Sequence, residues 1–312
     1  MKKQILFLLL FSFLSTFCDA QDYKKVDAVV LGYPKNFSST QKLAQRIATD
    51  FTNDFEKVRA AYTWIANNVV YDPTEFNIDN EPFKYSTKAE LEILLKKSEA
   101  ALSSRVLSKK KAVCQGYSTL FKAICNELNI PSRLVTGKGK TIINDIGKKH
   151  YSDHAWNIVT LGNKEYLIDV TWGAGTYSNR FEKKLNYVYF LSSPYLFIKD
   201  HYPDLYADAL LKEKIGQQEF SNGPIYYNYD FKLLEPTNGI LKKATGGKMK
   251  FRFAAPKEVM NISYISGGKS YNVTPPLTGN NLEFEIDLSR LKKEKDLVLF
   301  FDYDAVVGFK LE

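Results

Sequence analysis

The chain has 312 residues, 45% hydrophobic and 25% charged, a globular composition that excludes wholesale disorder or a collagen-like fibre. Its formal charge of +8 comes from 43 basic and 35 acidic residues scattered among one another, with no nucleic-acid-binding signature. That surplus reads as a solvated basic surface or a mild attraction to an anionic envelope, and no nucleic-acid partner is expected. Three cysteines and three histidines are too few for a zinc ribbon or an iron–sulfur site. No metal and no cofactor are expected.

The N-terminus reads as an export signal. Met1-Lys2-Lys3 is basic, and Ile5 to Phe17 is an apolar run too short for the ~20 residues of a membrane span. Cys18-Asp19-Ala20 supplies small residues where a signal peptidase reads, which places cleavage after Ala20 and leaves 292 residues with a charge of +7. A lipid anchor on Cys18 is the lesser alternative, because bulky Phe17 precedes it. No later apolar run reaches the ~18 residues of a transmembrane segment. The expected location is secreted, periplasmic or cell-surface.

Residues 21 to about 40 form a lead-in, and a helix follows over 40–51. The next helix opens at Asn53 with Glu56 three residues on, a capping-box pattern. It carries the apolar stripe Val58, Tyr62, Ile65 and Val69 and ends at Tyr71-Asp72-Pro73. A third helix begins around Thr87 and runs through Leu91, Leu94 and Leu95. Cys114, Tyr117, Leu120, Phe121, Ile124, Cys125 and Leu128 share one face of a helix that Asn129-Ile130-Pro131 ends. Arg133 to Thr136 is a strand, followed by a Gly- and Lys-rich loop to His150. His154 to Thr160 and Glu165 to Trp172 form a hairpin about Leu161-Gly162-Asn163-Lys164, and Asn186 to Leu191 is another short strand. The pattern lapses from about 211 to 226, which reads as a linker. Beyond it lie only strand signals: 229–234, 249–254, 259–266, 282–288, 298–303 and 306–311. Their spacing of roughly ten residues suggests an all-β sandwich. The expected domains are therefore 21–212 and 225–312, after the signal at 1–20.

Two cysteines remain after cleavage, Cys114 and Cys125. On one helix they stand about 16 Å apart at 1.5 Å per residue, beyond the ~7 Å that a disulfide spans. Cys125, beside Ile124 in mid-helix, suits a buried apolar thiol. Cys114 opens the helix just after Lys109-Lys110-Lys111, and helix N-termini and nearby cations stabilise a thiolate. A thiolate nucleophile needs a proton shuttle and a group to orient it. His154 opens one strand of the hairpin and Asp169 closes the other. With an even turn, positions whose numbers sum to an odd value share a face, so these two side chains lie together. His150, in a polar loop, is a less well positioned base, and His201, in Asp200-His201-Tyr202-Pro203, reads as a packing or turn residue.

Three stretches in this order, 112–118 (Ala-Val-Cys-Gln-Gly-Tyr-Ser), 154–157 (His-Ala-Trp-Asn) and 168–172 (Ile-Asp-Val-Thr-Trp), resemble the transglutaminase-like superfamily. Within it the chain looks like the kyphoscoliosis-peptidase-like branch, supported by 63–72 upstream and by 194–198 and 201–203 downstream. The resemblance covers roughly 50–205. It implies an α+β class with a papain-like transglutaminase core, followed here by an immunoglobulin-like all-β sandwich. It also implies a triad with Cys114 as nucleophile, His154 as base and Asp169 as orienting carboxylate, with Gln115 and Trp172 as candidate substrate-pocket residues. The branch's usual Trp after the His-x-Pro motif is replaced, since Leu205-Tyr206-Ala207 follows. The paired Cys-x-x-Cys motifs of peptide-N-glycanase relatives and the acidic calcium loops of animal transglutaminases are absent from the sequence.

The implied chemistry is acyl transfer on peptide or side-chain amides, with a peptide or protein as substrate. The competing reading is a non-catalytic envelope or cell-surface adaptor that binds through the transglutaminase-like and β-sandwich domains, with an envelope or cell-surface partner expected at the C-terminal one.

Overall fold

The structure, a computed structural model, describes residues 23–77, 83–242, 247–273, 281–291 and 293–312. The expected export signal lies outside the described residues. Helix α1 (Tyr23–Leu31) occupies the lead-in, where the sequence predicts no element. Its valines are stiff, mediocre helix formers, so tertiary contacts hold it. Val26 and Val30 are buried, and the Asp27 carboxylate accepts two bonds from Arg59, each 2.8 Å, and one from the Thr63 hydroxyl at 2.6 Å. Helix α2 (Thr40–Asp50) starts at Ser39, whose hydroxyl caps Lys42 N–H. Helix α3 (Asp54–Asn68) starts at Asn53, capping Phe55 N–H at 2.8 Å, and is buried continuously from Val58 to Ala66.

Strand β1 (Val70–Tyr71) pairs in parallel with β2 (Lys111–Ala112), the short strap that follows the long helix α4 (Lys88–Lys109). The strap delivers the chain into α5 (Cys114–Glu127), which packs on a four-stranded antiparallel sheet. That sheet has the order β5-β4-β3-β8, from β3 (Ser132–Gly139), β4 (His154–Leu161), β5 (Lys164–Ile168) and β8 (His201–Pro203). Between β5 and β8 come the short helix α6 (Val170–Ala174), the hairpin of β6 (Gly175–Tyr177) and β7 (Phe181–Lys183), and the turn α7 (Pro194–Phe197). The α5–sheet contact is polar as well as apolar. Ser118 Oγ donates to Ala155 O at 3.0 Å, and Asn157 Nδ2 donates to Ser118 O at 3.1 Å.

Close approach of β8 to β3 needs a glycine. A Cβ on Gly137 would lie 2.3 Å from Tyr202 O and 2.4 Å from Trp156 Cη2. Gly137→Ala is therefore expected to destabilise the protein by about 1–3 kcal/mol through overpacking, read as a lower denaturant midpoint. An unchanged midpoint would contradict the packing described here.

Two segments differ from the sequence expectation. The second hairpin strand stops at Ile168 rather than Trp172, because the Asp169 carboxylate accepts the N–H groups of Thr171 and Trp172 and starts α6. The strand expected at 186–191 is instead a single 3₁₀ turn, Tyr187–Tyr189, which the Asn186 side chain caps at Val188 N–H. The stretch read as a linker holds the helix α8 (Gln217–Asn222), whose Phe220 packs with Tyr202.

The C-terminal region is all-β, with a second hydrophobic core. One sheet has the order β10-β12-β15, from Lys232–Glu235, Lys248–Ala254 and Asn281–Asp287. The other has the order β11-β17-β16-β13-β14, from β11 (Ile240–Leu241), β13 (Ile262–Ser266), β14 (Lys269–Val273), β16 (Asp296–Phe301) and β17 (Asp304–Leu311). β9 (Ile225–Tyr226) adds to β17, and β11 pairs with β17 in parallel. Phe253 and Phe301 meet edge to face across the two sheets at 4.9 Å, as do Phe251 and Phe309 at 5.5 Å. The strands alternate buried and exposed residues, the pattern of two sheets packed face to face.

Candidate active site

Cys114 is the first residue of α5 and is half-buried. Val113, the residue before it, makes no side-chain cap. Gly116 and Tyr117 N–H donate to Val113 O, while the N–H groups of Cys114 and Gln115 have no intrahelical acceptor, so this helix end offers a positive electrostatic environment to the sulfur. The lysine run contributes less than the sequence suggests. Lys111 pairs with Asp72 at 3.0 Å, and Lys110 sits over the Trp64 ring at 4.7 Å. The Asp153 carbonyl lies 4.0 Å from the Cys114 sulfur.

His154 begins β4, and its Nε2 is 2.7 Å from Asp169 Oδ2. The hairpin makes this possible. Its two-residue turn, Gly162-Asn163, sets Leu161 opposite Lys164 and Asn157 opposite Ile168. That register carries Asp169 to the face of His154 even though Asp169 itself lies just beyond the strand. The Cys114 thiol also acts on the imidazole, favouring its charged form. With Nε2 taken by Asp169, Nδ1 is the nitrogen left for the sulfur.

Burial would push the His154 imidazole down, but the Asp169 charge and hydrogen bond, helped by Cys114, hold it up at about 10. Burial would likewise push the Asp169 carboxyl up, yet His154 and His201 hold it well below the usual carboxylate range. Cys125 is fully buried, and burial alone drives its thiol strongly upward, so it is the inert one of the pair.

His201, read from sequence as a packing or turn residue, sits inside the site. It is fully buried, with Nε2 2.9 Å from Asp169 Oδ2 and Nδ1 2.5 Å from Asp200 Oδ1. Asp200 Oδ2 in turn accepts the hydroxyls of Tyr189, at 3.0 Å, and of Tyr229, which leads into the C-terminal sandwich. A hydrogen-bonded chain thus runs from Tyr229 through Asp200, His201 and Asp169 to His154. Ligand atoms of His154, Asp169 and His201 lie within 4.8 Å of one another, the one such group among the described residues. The contacts at 2.7 and 2.9 Å are hydrogen-bond distances, shorter than the roughly 3.4 Å separating ligand atoms in a tetrahedral zinc site.

Aromatic rings close the site around both imidazoles. Trp172 stacks on His154 at 4.8 Å, and Phe197 stacks on His201 at 3.9 Å. Trp172 therefore walls the site, and exposed Gln115 lines the cleft beside Cys114. His150 is not brought to the thiol. Its Nε2 faces Asp145 O at 3.1 Å and its ring packs on Phe220.

Residues 41–169, which include Cys114, His154 and Asp169, match the family profile of the transglutaminase-like superfamily. The chain carries a transglutaminase-like domain. It is similar to human Kyphoscoliosis peptidase, with 27% identity over 279 residues, covering 86% of this chain and 39% of the relative. Mouse Kyphoscoliosis peptidase is likewise 27% identical over 260 residues, covering 80% of this chain and 36% of the relative. The chain thus spans under two fifths of the length of these relatives. A solved structure described as a TGase is similar at 20% identity, covering 56% of this chain and 40% of that one, with a TM-score of 0.30. The stretch of the transglutaminase-like domain matched by the profile stops before His201, whose contacts with Asp169 come from the fold alone.

Proposed function

We propose that the chain is an exported, cysteine-dependent acyl-transfer enzyme acting on peptide or side-chain amides through a thioester, as a peptidase or other amide hydrolase, or as a transglutaminase. The observation that carries this reading is the arrangement of Cys114 at a helix start without a side-chain cap, in one cleft with an imidazole whose Nε2 is held by buried Asp169. The Cys114 thiolate attacks the amide carbonyl carbon, and the Cys114 backbone N–H stabilises the oxyanion. Collapse of the tetrahedral intermediate breaks the C–N bond while His154 gives its proton to the leaving amine. Water or a second amine then attacks the thioester carbonyl, His154 takes up the proton that is released, and the C–S bond breaks to return the Cys114 thiolate. Asp169 fixes the ring orientation throughout.

The C-terminal sandwich fits an immunoglobulin-like domain in this reading. Its arrangement of three strands facing six, with an early strand pairing in parallel with the last, supports that topology. It is the surface proposed to meet an envelope or cell-surface partner.

A p-nitrophenyl ester of an N-acyl amino acid tests the chemistry. The expected result is a burst of nitrophenolate and a matching acyl mass on the Cys114 peptide, both absent in Cys114→Ser. An adduct that persists in Cys114→Ser, or none in the wild type, would refute it.

A further inference from the structure

The chemistry proposed for Cys114 divides its surroundings into two sides. A cleft of about 1000 Å³ is lined by Cys114, Gln115 and His154. A neighbouring recess of about 450 Å³ is lined by His154 and Trp172 but not by Cys114. In acyl transfer the sulfur keeps the acyl group, and the imidazole hands a proton to the departing amine. The acyl portion of a substrate therefore lies in the cleft that contains Cys114, and the amine portion in the recess beyond His154.

The two sides differ in character. Phe76, Phe83, Leu94, Ala101, Leu102 and Leu134 line the acyl side. Phe76 is 65% exposed and Phe83 39% exposed, so large apolar side chains stand in water beside the nucleophile. That arrangement is relieved when a bound apolar side chain covers them. The charges at the same cleft are largely committed. Arg105 and Glu75 satisfy each other at 2.8 Å, Asp153 accepts Gly139 N–H at 2.9 Å, and Lys84 is exposed to solvent. The amine side is mixed instead. Exposed Lys148 and Lys149 stand there with Asp145 and Asp153, so neither charge nor apolarity dominates.

We infer that the substrates are peptides whose reacting carbonyl belongs to, or directly follows, large apolar residues, with selectivity residing on the acyl side and little on the amine side. This rests on the cysteine-enzyme reading above and deepens it to a substrate class.

The test uses N-acetyl dipeptidyl acyloxymethyl ketones carrying Leu-Phe, Gly-Gly, Lys-Lys or Glu-Glu, with the rate of Cys114 modification read by mass spectrometry. Each rate is divided by the same protein's iodoacetamide rate. The Leu-Phe probe is expected to exceed Gly-Gly and both charged probes by at least about tenfold, worth ~1.4 kcal/mol. A Phe76→Glu, Phe83→Glu double variant is expected to bring that ratio toward one and to raise the relative rate of Lys-Lys. Equal rates in the wild type, a charged probe as the fastest, or an unchanged ratio in the double variant would overturn the substrate assignment. Iodoacetamide distinguishes the two levels. His154-dependent iodoacetamide reactivity with flat peptide rates refutes only the substrate class, whereas a Cys114 inert to every reagent refutes the enzyme reading and the substrate class with it.

Discussion

Asp169→Ala is expected to lower the unfolding free energy by about 3–5 kcal/mol, the usual cost of removing one partner from a buried ionic group. Asp169 is fully buried and accepts four hydrogen bonds. Thr171 and Trp172 N–H reach Oδ1 at 2.7 and 3.2 Å, and His154 and His201 reach Oδ2 at 2.7 and 2.9 Å. Alanine strands all four donors and removes the cap of α6. Denaturant unfolding checks the size, and a loss below ~1 kcal/mol would contradict the bonding described.

The same pair predicts a pH dependence with a definite sign. His154 is held up at about 10, above its unfolded value of ~6.5. Its contribution is therefore complete below pH ~6.5 and is lost as pH rises toward about 10. Asp169 is held low, so its contribution is complete above its unfolded value of ~3.9 and is lost as pH falls below that. The stability difference between wild type and Asp169→Ala should shrink both above pH ~6.5 and below ~3.9. Buried Lys140 and partly buried Lys183, lowered by burial to about 7 and about 8, act in the opposite sense at alkaline pH. Both lysines are present in wild type and variant, so their effects cancel in the difference. A difference that grows from pH 7 to pH 10 would refute the assignment.

The second large effect is expected at His201. His201→Phe keeps a ring between Phe197 and Trp172 but takes one donor from each of the carboxylates Asp169 and Asp200. A stability loss of about 3 kcal/mol is expected from two buried carboxylates that each lose a donor. Iodoacetamide modification of Cys114 should also slow by at least about tenfold, because Asp169 Oδ2, which His201 shares with His154, is then held from one side only and orients His154 less firmly. Tyr229→Phe removes one of two hydroxyls on Asp200 and should slow modification less than His201→Phe does. A purely structural His201 would lower the unfolding midpoint while leaving the modification rate of the folded protein unchanged.

How much of this was legible in the sequence depended on how local each cause is. Cys114 announces itself by opening a periodic helix. His154 and Asp169 share a face because a two-residue turn sets the parity of the hairpin, and that parity holds although Asp169 proves to be a helix cap. His201 was missed because its role arises from strand pairing across the far edge of the sheet, where it stands opposite Gly139. The available signal was that glycine, since a Cβ there would lie 3.2 Å from Trp172 and 3.6 Å from His154. Helix α1 was missed because its valines argue against a helix locally, and the buried Asp27–Arg59 pair that holds it spans thirty-two residues. The sandwich strands were readable from alternation, whereas the two-residue strands β9 and β11 are too short to carry a pattern.

The central claim is that His154 activates Cys114, and the iodoacetamide rate at pH 6–7 in wild type and His154→Ala tests it most directly. Buried Cys125 serves as the internal control in both proteins. The account predicts that Cys114 in the wild type reacts at least about tenfold faster than in His154→Ala, with Cys125 silent in both. Equal rates in the two proteins, or a Cys114 as inert as Cys125, would contradict it and favour the adaptor reading.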